Sequence, residues 1–229
     1  MLKACFIGCA ALLALAGPSL ASPLADAPGD FLASYTGPQN GDLDILSASV
    51  RFDGSHFHLS STVNGAVGST PGALYVWGIN RGAGLPRLTF GTPSVGGTAP
   101  FDAVAVLFPD GLGRAVTFPL AGPPSITPLP GLVSVDGSTI SASFQASLFP
   151  TSGLAPQDYT FTLWSRARVS PLMDGTNAEI ADFAPDVGGM TSTVPEPGAW
   201  ALMIVGFGAM GAMLRRRDRL APAAPGAQA

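Results

Sequence analysis

The chain has 229 residues and a net charge of −4, with 47% hydrophobic and only 11% charged side chains. Both cysteines, Cys5 and Cys9, lie near the start, which excludes disulfides, thiolate metal sites and a cysteine nucleophile from everything downstream. Residues 22–194 carry six arginines, no lysine and thirteen acids, a net −7. A body this acidic is unsuited to nucleic acid or anionic lipid.

Met1-Leu2-Lys3 and the apolar run over 4–16 read as a signal peptide, 1–21. The run is too short to span a bilayer, and the small residues of Ser19-Leu20-Ala21 place the cut between Ala21 and Ser22. Residues 22–187 form one domain. Leu46, Ala48, Val50 and Phe52 alternate with Ser47, Ser49 and Arg51, and Phe57, Leu59 and Val63 resume on one face after Asp53-Gly54-Ser55. Asp-Gly between alternating runs is a strong hairpin signal, because Gly accepts the positive φ that the turn requires. The device recurs at Asp136-Gly137-Ser138, between Val133/Val135 and the alternation from Ile140 to Leu148.

Further strands are predicted over 31–35, 73–79, 101–108, 114–118 and 159–169. The nearly uninterrupted apolar run at 101–108 predicts a central strand covered on both faces. Short strands separated by turn signals, with no amphipathic helix, predict an all-β fold: a single antiparallel β-sandwich or jelly roll. Residues 174–189 read as an irregular exit, and 188–194 as a linker.

Four groups of side chains are candidates for chemistry. Asp42 and Asp44, with Asp26 and Asp30 upstream, gather the oxygen ligands that Ca²⁺ needs, although the spacing is not that of an EF-hand. Asp174, Asn177, Glu179, Asp182 and Asp186 form a second such group. Trp164, outward-facing if Phe161 and Leu163 point inward, and the pair Tyr75 and Trp77 are candidate sugar platforms, since aromatic faces stack on apolar surfaces. Against each stands a plainer reading: solvated loop acids, and core or sheet-edge aromatics. His56 and His58 share a strand face about 7 Å apart and read as polar decoration more readily than as metal ligands. Nothing resembles a nucleophile elbow or a Ser-His-Asp set, so no enzymatic activity and no firm cofactor is expected.

The C-terminal part has a different character. Pro195-Glu196-Pro197 forms an exposed extended hinge, because each ring fixes φ and removes an N–H. Trp200, Ala201 and an uncharged run to Leu214 follow, and then Arg215-Arg216-Arg217-Asp218-Arg219. A transmembrane helix is expected over 199–214, marginal in length, with Trp200 at the interface and the arginines holding the C-terminal side in the cytoplasm. Residues 221–229, rich in Ala and Pro, read as a disordered tail.

Pro195, Glu196, Pro197, Trp200 and Ala201, with Met203-Ile204-Val205-Gly206-Phe207-Gly208 and the stop-transfer arginines Arg215, Arg216, Arg217 and Arg219, resemble a PEP-CTERM sorting signal over 195–220. Asp218 and the segment after Leu220 depart from that pattern. The resemblance implies recognition and cleavage by an exosortase, a membrane protease of Gram-negative bacteria associated with extracellular polysaccharide and biofilm. The expected protein is exported, held in the inner membrane N-out/C-in, and then sorted to the cell surface or matrix. There it would play a structural or binding part in the envelope or exopolysaccharide; a carbohydrate-binding module and a Ca²⁺-stabilised adhesion domain are the alternatives.

Overall fold

Alternation of apolar and small polar residues sets the strands, and the Asp-Gly turns set their pairing. A computed structural model of the chain describes residues 23–84, 100–168, 179–186, 188–192, 204–212 and 215. The expected signal peptide and its Ala21/Ser22 cleavage site lie outside the described residues. Residues Ala21–Val194 form one compact unit.

Strands β1 (Leu24–Ala25), β2 (Ile45–Phe52), β3 (His56–Val63), β8 (Val133–Asp136) and β9 (Thr139–Gln145) make a five-stranded sheet of order β1-β2-β3-β9-β8. Strands β4 (Ala73–Asn80), β5 (Ala103–Leu107), β6 (Gly113–Thr117), β7 (Ser125–Pro128), β10 (Thr160–Ala167) and β11 (Ile180–Ala184) make the second, of order β11-β10-β4-β5-β6-β7. The short β12 (Met190–Thr191) also pairs with β10. Every pairing is antiparallel.

Both predicted hairpins form. Gly54 at φ 99° and Gly137 at φ 57° occupy their turns, in a conformation that a Cβ would oppose. The two hairpins are neighbours, joined through β3 and β9 from His56↔Gln145 to Thr62↔Thr139. As expected, β5 is interior, with Ala105 and Leu107 fully buried on one face and Val104 buried on the other.

The main core draws side chains from both sheets. Val50, Phe57, Leu59 and Phe144 come from the first, and Tyr75, Trp77, Ala105, Phe161 and Leu163 from the second. Phe57 is the join: its ring centroid lies 5.3 Å from Phe161, 5.6 Å from Tyr159 and 6.3 Å from Phe144. Fully burying one such side chain contributes about 1.5–3 kcal/mol. A second apolar cluster covers the other face of the β10–β4–β5 strip, built by Leu32, Tyr35, Val76, Phe101, Val104, Trp164 and Phe183.

Four expectations are corrected. Residues 31–35 are not a strand; Tyr35 N–H donates to Leu32 O across a turn at 2.9 Å, and both side chains pack onto the second cluster. The alternation ends at Gln145, and Ala146–Leu148 is a 3-10 turn. The irregular exit contains the fully buried β11, and the expected linker joins the sheet at Met190–Thr191. β11 is hidden from periodicity because an edge strand covered on both faces has no alternation.

The tail belongs to a separate unit. Residues 204–212 are helical, with Ile204, Val205, Phe207 and Met210 exposed by 60% or more. Among the described residues no helix is long and apolar enough to cross a membrane. The span expected over 199–214 is represented by nine described residues, about 13 Å of rise.

Candidate functional site

The candidate sugar platforms are buried. Phe161 and Leu163 do point into the main core, and Trp164 takes the opposite face, but that face is covered. Trp164 is 4% exposed, its ring stacked on Phe183 at 5.7 Å and 5.4 Å from Phe101. Tyr75 and Trp77 share a face, as expected, and that face is the main core. The Tyr75 hydroxyl donates to Asp42 O at 2.6 Å. Sequence periodicity separates the two faces of a strand but does not show what lies over each of them.

The acids separate in a way that spacing alone could not reveal. Asp42 is fully buried and spends its carboxylate on Thr70, accepting from the backbone N–H at 2.7 Å and the hydroxyl at 2.6 Å. Among the described residues it takes no part in a ligand cluster. Asp44 faces the other way. It accepts from Gly29 N–H at 3.0 Å and from Asn64 Nδ2 at 2.9 Å.

Asp182 in β11 reaches across to the first sheet. Its Oδ2 accepts from Ile45 N–H at 2.6 Å and its Oδ1 from Phe183 N–H at 2.7 Å. The segment after β1, tied to β2 by Asp26 N–H donating to Leu46 O, brings Asp26 and Asp30 to the same place. Carboxylate oxygens of Asp30, Asp44 and Asp182 all lie within 4.8 Å of one another, as do those of Asp26, Asp30 and Asp186.

Five aspartates thus converge where the last core strand meets the first sheet. Burial, and then Asp30 and Asp186, push Asp26 up to about 7. Burial, outweighing its two backbone hydrogen bonds, pushes Asp182 up to about 8, with Asp26 and Asp30 adding to the rise. Asp30 is raised by burial and by Asp186 and Asp44. The sequence flagged both acidic stretches, but nothing in it says that they meet.

Two ion pairs escaped the sequence reading. Arg81 Nε sits 3.0 Å from Asp102 Oδ1, both side chains buried. Arg81 also donates to Pro150 O at 2.7 Å, and Asp102 accepts from the N–H groups of Arg81 and Ala83. Arg166 pairs with the buried Glu179. A charged residue interrupting an apolar run, as Asp102 does, was the available signal. His56 and His58 have ring centroids 6.4 Å apart, and His58 Nε2 pairs with Asp53 at 2.7 Å on the exposed hairpin tip.

Of the sorting residues, 204–208 and Arg215 are among the described ones, all helical and exposed. Pro195, Glu196, Pro197, Trp200, Ala201, Arg216, Arg217 and Arg219 lie outside them. No curated protein and no solved structure matches the chain. Residues 193–217 match the family model of the PEP-CTERM protein-sorting motif. This chain therefore carries a PEP-CTERM protein-sorting motif, which implies export, membrane-linked sorting to the cell surface and dealings with the exosortase machinery.

Proposed function

We propose that the protein is an exosortase substrate cut near Pro195–Trp200, whose body acts without enzymatic activity as a structural or binding component of the envelope or exopolysaccharide. The matched motif at residues 193–217 carries this reading. Export proceeds through the signal peptide, and the apolar run after Trp200 holds the chain N-out/C-in until it is processed. The body is a β-sandwich: two antiparallel sheets share a core in which Phe57 of one meets Phe161 of the other.

Intact-mass measurement of the cell-surface fraction tests the sorting. The expected product ends near residues 195–200, and Glu196→Ala or deletion of Arg215–Arg217 increases the uncut membrane form. A surface product retaining Leu214 and Arg215 would refute it. Of the alternatives, carbohydrate binding through Trp164, Tyr75 or Trp77 loses its support, because these rings have no open face to offer. A Ca²⁺-stabilised body gains support from the convergence of acids from two distant stretches.

A further inference from the structure

We propose that Asp26, Asp30, Asp44, Asp182 and Asp186 form a Ca²⁺ site that clasps the first segment of the body to its last core strand. The donors are all carboxylate oxygens, which suit a hard cation and neither Zn²⁺ nor copper. They come from separate stretches: Asp26 and Asp30 follow β1, Asp44 precedes β2, Asp182 lies in β11 and Asp186 follows it. The two triads share Asp30. With Ca²⁺–oxygen bonds of about 2.3–2.6 Å, opposite ligands of one ion stand roughly 5 Å apart. Within each triad the carboxylate oxygens lie within 4.8 Å of one another, close enough to share one ion.

An independent observation points to a missing positive partner. Asp26 Oδ2 and Asp30 Oδ1 are shielded from solvent and meet no hydrogen-bond donor. Asp44 and Asp182 are 3% and 1% exposed. Among the described residues none of the five pairs with an arginine or histidine; the ion pairs there are His58–Asp53, Arg81–Asp102 and Arg166–Glu179. Buried oxygens without donors are costly, and one bound dication would satisfy the orphans and offset two of the cluster's negative charges. Mg²⁺ suits the place less well, because it keeps several waters and takes one or two carboxylates, whereas Ca²⁺ accepts six to eight irregularly placed oxygens.

Thermal unfolding of the full chain in mild detergent, stripped with chelator and titrated with CaCl₂, tests the site. A ligand bound only to the folded state raises apparent stability, so a hundredfold excess over Kd is expected to raise Tm by roughly 5–10 °C. Asp30→Asn removes the shared ligand and is expected to abolish that rise while leaving the metal-free Tm unchanged or higher. If Asp30→Asn does not fold, Asp186→Asn, at an exposed position, is expected to move the Ca²⁺ midpoint several-fold upward. The proposal is overturned by a Tm identical in Ca²⁺ and chelator, the result expected if shared protons alone neutralise the cluster. It is equally overturned by a rise matched by Mg²⁺ or by NaCl of equal ionic strength, or by one that persists undiminished in the variants. None of these outcomes bears on whether the tail is cut.

Discussion

Asp102 and Asp182 are buried to the same degree, 1% exposed each, yet the chain treats them oppositely. Beside Asp102 it places a guanidinium, and Arg81 fastens strand end, carboxylate and the Pro150 carbonyl into one network. Beside Asp182 it places backbone N–H groups and more acids. One buried charge is balanced by the protein itself. The other is left for a proton or an external cation to balance. The difference teaches that burial alone does not make a carboxylate structural; the sign of its neighbours decides what else must be present.

Breaking the balanced pair gives the largest expected effect. Arg81→Ala strands Asp102 without its cation in a dry site, and losing one partner of a buried pair costs about 3–5 kcal/mol. A urea titration followed by intrinsic fluorescence measures it; a loss below about 1 kcal/mol would place the pair with weakly contributing surface bridges. The unbalanced cluster should reveal itself through pH, in chelator. Asp182 and Asp26 rise from 3.8 to about 8 and about 7 on folding. Between those values the folded state holds protons that the unfolded chain has released, so stability falls as pH rises. The metal-free protein is therefore expected to be more stable at pH 5 than at pH 8, read as a drop in urea midpoint. Asp182→Asn should flatten that drop, whereas a profile that climbs across the same range would contradict the assigned environment.

The contrast also explains what the sequence could and could not reveal. Alternation around two Asp-Gly turns specified β2, β3, β8 and β9 because one face of each strand is buried and the other is not. The same logic failed for β11, which is buried throughout, and for Trp164, whose outward face is roofed by Phe101 and Phe183. Local spacing brought Asp42 and Asp44 together as candidates. The fold pulls them apart, since residues so close around a 3-10 turn can point to different partners. Asp44 and Asp182 meet only through tertiary packing, across more than a hundred residues of chain. The sorting motif was legible for the opposite reason: its elements are contiguous, and its reading depends on order along the chain.

A third aspartate sharpens the comparison with the smallest effect. Asp53 lies on the exposed hairpin tip, where its carboxylate accepts from His58 Nε2, from the N–H groups of Ser55 and His56 and from the Ser55 hydroxyl. The His58 contact first, and the backbone donors next, hold Asp53 well below the usual carboxylate range. A lowered folded value stabilises the protein above 3.8 and loses that contribution as pH falls through the folded value, so its slope opposes that of Asp182. Water already solvates this site, and Asp53→Asn is therefore expected to lower stability only slightly at pH 6. The gap between variant and parent should close below pH 3, measured as urea midpoints along an acid series. A gap that stayed constant to pH 2 would mean that Asp53 acts through the shape of the turn, with its charge playing no part.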